Sequence, residues 1–95
     1  MFIVFLRFSE RKAEAPRLME GHNDWIRHGF EDGVFLTVGA LRPNAGGVVL
    51  AHGLSRAELE ARVAADPFVA EDVVRPEIFE IRPSRADARL DFLVA

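Results

Sequence analysis

The sequence predicts an α+β sandwich in which two helices cover one face of a four-stranded antiparallel sheet. Short apolar segments rich in β-branched and aromatic residues alternate with longer segments that carry apolar residues at helical spacing. Their order along the chain is strand, helix, strand, strand, helix, strand, which is the split βαβ or ferredoxin-like arrangement (βαββαβ). A chain of 95 residues is long enough for one such core, so we expect a single domain over residues 1–95.

The composition is that of an ordinary globular domain, with 49% hydrophobic and 28% charged residues. A net charge of −3 gives no basic patch for phosphate groups, which argues against nucleic-acid binding. The absence of cysteine excludes disulfides, thiolate chemistry and cysteine-based metal sites. No apolar run reaches membrane-spanning length and no signal peptide is recognisable, so we expect a cytoplasmic protein that does not enter a membrane.

Residues 2–8 are predicted to form a central strand, because apolar side chains occupy nearly every position on both of its faces. The helices cover only one face of the sheet. Each large apolar side chain left in water on the other face forfeits roughly 1.5–3 kcal/mol. We therefore expect a homodimer that packs sheet against sheet, with Arg7 either in an ion pair at that interface or bound to an anion.

The first helix, predicted over residues 14–30, carries a histidine where a core residue is expected. His22 lies four residues after Leu18 and four before Ile26, so the helical period places all three on one face. Trp25 shares that face, where it belongs either to the core or to an aromatic wall beside a planar ligand. His22 is therefore predicted to face inward.

The rest of the chain supplies three more strands and a second helix. In chain order these are strands at 34–41 and 48–52 joined by a loop at 42–47, a helix from the capping box 55–58 to residue 65, a short turn at 67–70, and a strand at 74–82. Gly39 lies inside the second strand, where a glycine indicates a β-bulge or, less commonly, the close approach of a ligand. Pro76 is tolerable in the last strand only where its missing N–H faces no partner.

Residues 84–95 are predicted to form a helical C-terminal tail, because Ser-Arg-Ala-Asp at 84–87 repeats the capping signal. Leu90, Phe92 and Leu93 need apolar cover that a short final strand cannot provide. We expect the tail to reach across to the other subunit of the dimer.

Asp66 is the natural partner of His22. It follows Leu59 and Val63, on the inner side of the second helix, at spacings of seven and three, and the split βαβ fold places both helices on the same side of the sheet. A carboxylate that accepts from one imidazole nitrogen fixes the tautomer and leaves the other nitrogen to take a proton from a substrate. Each residue also has a structural interpretation: His22 bonded to a backbone carbonyl, and Asp66 as the N-cap before Pro67, a role compatible with pairing.

Five further residues are predicted to contact a substrate. They are Trp25, Gly39, Arg7, Ser9 at the end of the first strand, and His52 at the end of the third, for which a solvated strand end is the alternative. Three histidines without i,i+4 spacing and no cysteine give no recognised set of metal ligands, so we expect no metal and no cofactor.

The sequence resembles the YCII-related family, whose fold is the dimeric ferredoxin-like α/β barrel. The resemblance rests on His22, on Val-Gly-Ala-Leu at 38–41 and on Ala-Asp-Pro-Phe at 65–68, and it extends over nearly the whole chain. It implies that His22 and Asp66 form the active-site pair. More loosely, the chain is similar to muconolactone isomerases and a dehydrochlorinase, which act on small cyclic acids or phenols.

Two functions are compatible with the sequence. In the first, the protein is a cofactor-free lyase or isomerase in which His22, oriented by Asp66, moves a proton on a small, cyclic, anionic metabolite. In the second, it is a non-catalytic dimeric module that binds a small molecule or a partner, and the pair is structural. Met19 stands where one common form of the family has an arginine, so an anion would need another cation, such as Arg7 or Arg17.

Overall fold

The architecture is the split βαβ sandwich that the sequence predicts. In the computed structural model, which describes residues 1–94, the strands are β1 (Phe2–Phe8), β2 (Phe35–Leu41), β3 (Gly46–Ala51) and β4 (Val74–Glu80). The helices are α1 (Ala15–Glu31), α2 (Arg56–Ala64) and the short α3 (Pro67–Ala70), with 3₁₀ helices at Lys12–Glu14 and Ala88–Leu93. The α+β, ferredoxin-like fold class is confirmed.

The sheet has four antiparallel strands in the order β2-β3-β1-β4. β1 is the central strand that its two apolar faces predict, since it pairs with both β3 and β4. β4 lies at an edge, which explains why Pro76 is tolerated within it: one side of an edge strand has no partner for a backbone N–H.

The core lies between the helices and one face of the sheet. It is built from alternate residues of the strands and from the inner sides of the helices, including Phe2, Val4, Leu6, Trp25, Phe35, Val49, Leu59, Val63 and Phe68. Gly29 of α1 packs against Phe35, where a Cβ atom would come within 2.1 Å of the ring. This glycine therefore lets α1 lie directly on β2.

The second helix begins at the predicted capping box. Ser55 Oγ accepts a hydrogen bond from the backbone N–H of Glu58 at 3.1 Å, and the Glu58 carboxylate accepts from the backbone N–H of Ser55 at 2.8 Å. The hydrogen bond that the carboxylate accepts from the backbone N–H of Ser55, together with its contact with the Ser55 hydroxyl group, holds the pKa of the Glu58 carboxyl below its ordinary value. Among residues 1–94, no helix is long and apolar enough to cross a bilayer.

The irregularity of β2 differs from the prediction at Gly39. The bulge lies between Phe35 and Thr37, whereas Gly39 pairs regularly with Val48 of β3. The glycine that the backbone requires is instead Gly46, which was predicted to lie in the hairpin loop. Its φ is +128°, and a Cβ atom there would lie 2.0 Å from the carbonyl oxygen of Leu6, so β1 approaches too closely for any side chain.

The C-terminal tail also differs from the prediction, because no helix begins at Ser84. Asp87 caps the short 3₁₀ helix Ala88–Leu93 by accepting from the backbone N–H of Arg89 at 3.0 Å. Phe92 remains 57% exposed, so little apolar burial supports a longer helix here. Ala95, the last residue of the predicted tail, lies outside the described residues.

Candidate active site

His22 and Asp66 meet between α1 and the start of α3. The Nδ1 atom of His22 lies 2.8 Å from Oδ1 of Asp66. The Asp66 side chain is fully buried, and the His22 side chain is 14% exposed. An ionised carboxylate can only accept hydrogen bonds, so opposite an ionised Asp66 the Nδ1 atom of a neutral His22 is the donor and Nε2 keeps the free lone pair.

A second hydrogen bond fixes the Asp66 carboxylate. Its Oδ1 also accepts from the backbone N–H of Phe68 at 3.0 Å, which makes Asp66 the N-cap of α3 with Pro67 at the first helical position. The two interpretations of Asp66 therefore hold together, through one oxygen. The other oxygen, Oδ2, is buried and has no hydrogen-bond partner among residues 1–94.

Aromatic contacts fix the plane of the His22 imidazole. The ring stacks on Phe68 with a centroid separation of 3.9 Å and an interplanar angle of 2°. Trp25 lies further out at 5.9 Å, and its indole N–H donates to the carbonyl oxygen of Arg62 at 2.8 Å. A Cβ atom at Gly21 would lie 3.1 Å from Pro67, so the residue before His22 allows α1 to approach α3.

A cavity of about 260 Å³ adjoins the imidazole, between α1 and the sheet. Ala40 of β2 faces Gly47 of β3 on the inner face of the sheet, and these small residues leave the space open. The lining is almost wholly apolar and comprises Leu6, Phe8, Met19, His22, Asn23, Trp25, Ile26, Val38, Gly39, Ala40, Gly46, Gly47, Val48, Val49, Phe68 and Val74. The arrangement thus places one imidazole of fixed orientation beside a small apolar cavity, which is the usual form of a small-molecule site.

Comparisons with known proteins identify the family. The model of the YCII-related domain matches residues 1–83. The chain belongs to the YCII-related family. No curated protein matches it.

A solved structure shows the same fold as this YCII-related protein. It is 5-chloro-2-hydroxyhydroquinone dehydrochlorinase (TftG) from Burkholderia phenoliruptrix AC1100, in complex with 2,5-dihydroxybenzoquinone. The two chains are 12% identical, the alignment covers 85% of this chain and 93% of that chain, and the TM-score is 0.69. At this level of identity the likeness establishes a common fold.

The structure brings two of the five predicted substrate contacts to the cavity, namely Trp25 and Gly39. Gly39 borders it through its backbone, and a Cβ atom there would meet nothing within 4 Å. His52 lies elsewhere, with its ring 5.2 Å from that of Phe92 in the tail. Arg7 and Ser9 also lie away from the cavity lining.

Arg7 and Ser9 make structural contacts instead. Strand alternation places Arg7 on the face opposite Leu6, where its Nε donates to the Glu77 carboxylate. Ser9 Oγ donates to the carbonyl oxygen of Asp72 and accepts from the backbone N–H of Arg11 at 3.0 Å. Ser9 therefore fastens the loop after α3 to the end of β1.

Asn23 is a polar lining residue that the sequence pattern did not predict. It directly follows His22 in α1, and its exposed side chain interrupts no apolar stripe, so the helical pattern gave no signal for it. The pairing of the small residues Ala40 and Gly47 indicates the cavity, but this pairing cannot be read from the sequence because it depends on the register between β2 and β3. Within residues 1–94, no group of three or more histidine and acidic side chains is placed to hold a metal ion.

Proposed function

We propose that this protein is a cofactor-free enzyme of the lyase or isomerase type that moves a proton on a small cyclic metabolite. His22 is the general acid and base, and Asp66 is the residue that orients it. The observation that carries the proposal is the 2.8 Å contact between Nδ1 and the buried carboxylate, made by an imidazole that lines a cavity. A base fixed in one tautomer beside an apolar hollow is what proton transfer to or from a bound ligand requires.

The chemistry uses the free nitrogen of the imidazole. Nε2 of His22 takes the proton of a hydroxyl group on an unsaturated ring, and the resulting imidazolium is stabilised by the Asp66 carboxylate. The electrons of the broken O–H bond form a carbonyl group. The displaced ring electrons then take the proton back at a carbon atom, which completes an isomerisation, or expel a leaving group, which completes an elimination.

The structural neighbour supports a cyclic substrate. TftG is a dehydrochlorinase of a chlorinated hydroxyhydroquinone, and its complex contains 2,5-dihydroxybenzoquinone. A ring of that size is compatible with a cavity of about 260 Å³. The alternative is a non-catalytic binding module in which the pair of His22 and Asp66 is structural. The deuterium-exchange experiment described next distinguishes this module from the enzyme.

We expect the protein to catalyse exchange of solvent deuterium into ring carbons of cyclic enols and phenols, measured by NMR over a panel of such compounds. His22→Asn retains an N–H near the position of Nδ1 but lacks the base, so exchange should fall by about 10²–10⁴-fold. His28→Asn makes the same change at an exposed position of α1 and should leave exchange unaltered. Exchange that survives in the His22 variant, or no exchange by the wild type, would favour the binding module.

We also propose that two copies pack sheet against sheet. The face of the sheet away from the helices carries Phe5 and Phe79, whose rings meet edge to face at 5.8 Å, and Phe79 is 49% exposed. Covering such side chains with a second copy returns their burial energy.

The sheet-to-sheet dimer predicts that Phe79→Glu shifts the protein to the monomer in sedimentation velocity. Phe30→Glu, at an exposed phenylalanine of α1, should remain dimeric and serves as the control.

A chain that ends at Pro83 should dimerise more weakly if the tail crosses to the partner. A wild type that sediments as a monomer contradicts the dimer, and an unchanged dimer constant after truncation contradicts the crossing.

A further inference from the structure

We infer that the cavity selects an uncharged planar ring with a hydroxyl group and discriminates against ring carboxylates, and that Asn23 holds the oxygen whose proton His22 removes. This inference rests on the proposed proton transfer and specifies its substrate. It also reverses the anionic substrate that the sequence alone favours.

The cavity lining offers no cation to a charged ligand. None of its lining residues is arginine or lysine. The indole N–H of Trp25 is already committed to the carbonyl oxygen of Arg62. The polar side chains left for a ligand are those of His22 and Asn23, and a single imidazole beside a buried carboxylate is a poor counter-ion for a second anion.

The cations near the site are already engaged by other groups. Arg17, one of the two predicted substitutes for the missing family arginine, pairs with Glu14 at 3.2 Å and with Glu71 at 3.5 Å. Lys12 is not a lining residue: its Nζ donates to the carbonyl oxygen of Asn44 at 3.5 Å and lies 5.1 Å from the centroid of the Phe8 ring, which does line the cavity. A carboxylate entering the cavity would therefore lose its water without gaining a salt bridge, which costs far more than burying a hydroxyl group.

Asn23 supplies the hydrogen bond that an uncharged hydroxyl group needs. Its carboxamide makes no hydrogen bond to another residue within 1–94, so its donor and acceptor are both available. When the O–H bond of the ligand breaks and the N–H bond of His22 forms, the oxygen becomes an anion, and an amide N–H from Asn23 stabilises it. One side chain thus binds the neutral hydroxyl group and the oxyanion that follows.

The residues that line the cavity favour a planar ligand. The rings of His22, Phe68 and Trp25 line the helix side of the cavity, where His22 stacks on Phe68 at 3.9 Å and lies 5.9 Å from Trp25, and the small residues Ala40 and Gly47 line the sheet side. A planar ring fills a slot between such surfaces with little loss of contact.

The test compares two probes that share a ring and a nitro group, para-nitrophenol and para-nitrobenzoate, by calorimetric titration below the pKa of free para-nitrophenol. We expect the wild type to bind the phenol at least about tenfold more tightly than the carboxylate. Asn23→Ala should weaken phenol binding about fivefold through the lost hydrogen bond, whereas Asp24→Ala, at the next position of α1, should leave it unchanged.

Equal or tighter binding of para-nitrobenzoate, or no binding of either probe, would overturn the inference. If Lys12→Met then removed the carboxylate binding, a cation at the rim would be the determinant instead of the lining. Proton transfer has its own readout, the exchange of solvent deuterium into ring carbons of bound cyclic enols and phenols, which should occur in the wild type and fall sharply in His22→Asn. A phenol that binds selectively without such exchange would contradict the proposed function and leave the selectivity standing.

Discussion

Replacing His22 by alanine is expected to lower the free energy of unfolding by about 3–5 kcal/mol, because it leaves the Asp66 carboxylate buried without the donor that pairs with it. The Oδ2 atom already has no partner within residues 1–94, so Oδ1 would keep only the backbone N–H of Phe68. The lost imidazole also removes a stacking partner of Phe68. For a small domain this is a large share of a total stability of about 5–15 kcal/mol.

Urea denaturation of the purified variants measures this effect. His22→Asn retains a donor toward Asp66 and should recover most of the lost stability. His28→Ala makes the same substitution at an exposed site of α1, and we expect a change within about 0.5 kcal/mol. If His22→Ala proved as stable as His28→Ala, the carboxylate would not depend on the imidazole, and the orientation of His22 by Asp66 would lose its support.

The fold was predictable because it depends on local patterns. The apolar run of β1 and the capping box at the start of α2 each act within a few residues. The tail was predicted less well, because its helix is a short 3₁₀ segment that begins at Ala88 and not at Ser84. Its capping signal at Ser84 was present, but a short helix forms only where its apolar face is buried, and Phe92 is largely exposed within this chain.

The candidate site was predictable only where helical or strand periodicity reports a direction. His22 lies in an apolar stripe and Asp66 follows Leu59 and Val63 at spacings of seven and three, so both could be placed on the inner side of the helices. Ser9 and His52 end their strands, and the period does not say what a strand end faces. The cavity itself depends on which residue of β2 lies opposite Gly47, and the bulge between Phe35 and Thr37 sets that register.

Filling the cavity from its sheet side is expected to abolish ligand binding while the fold persists. Ala40→Phe places a ring in the space beside Gly47, and because Ala40 is exposed, the free energy of unfolding should change by no more than about 1 kcal/mol. Titration with para-nitrophenol and urea denaturation measure the two effects, with Ala57→Phe on the exposed side of α2 as the matched control.

Because position 40 is exposed, the phenylalanine ring of Ala40→Phe could turn toward solvent and leave the cavity open. Val38→Phe closes that route, since Val38 is half-buried on the same face of β2 and lines the cavity more deeply. Overpacking there costs about 1–3 kcal/mol where no free volume exists, so a smaller loss of stability would itself show that the ring occupies the hollow. Undiminished binding by both variants would mean that the ligand sits elsewhere, and the pair of His22 with Asp66 would then be separated from the binding site.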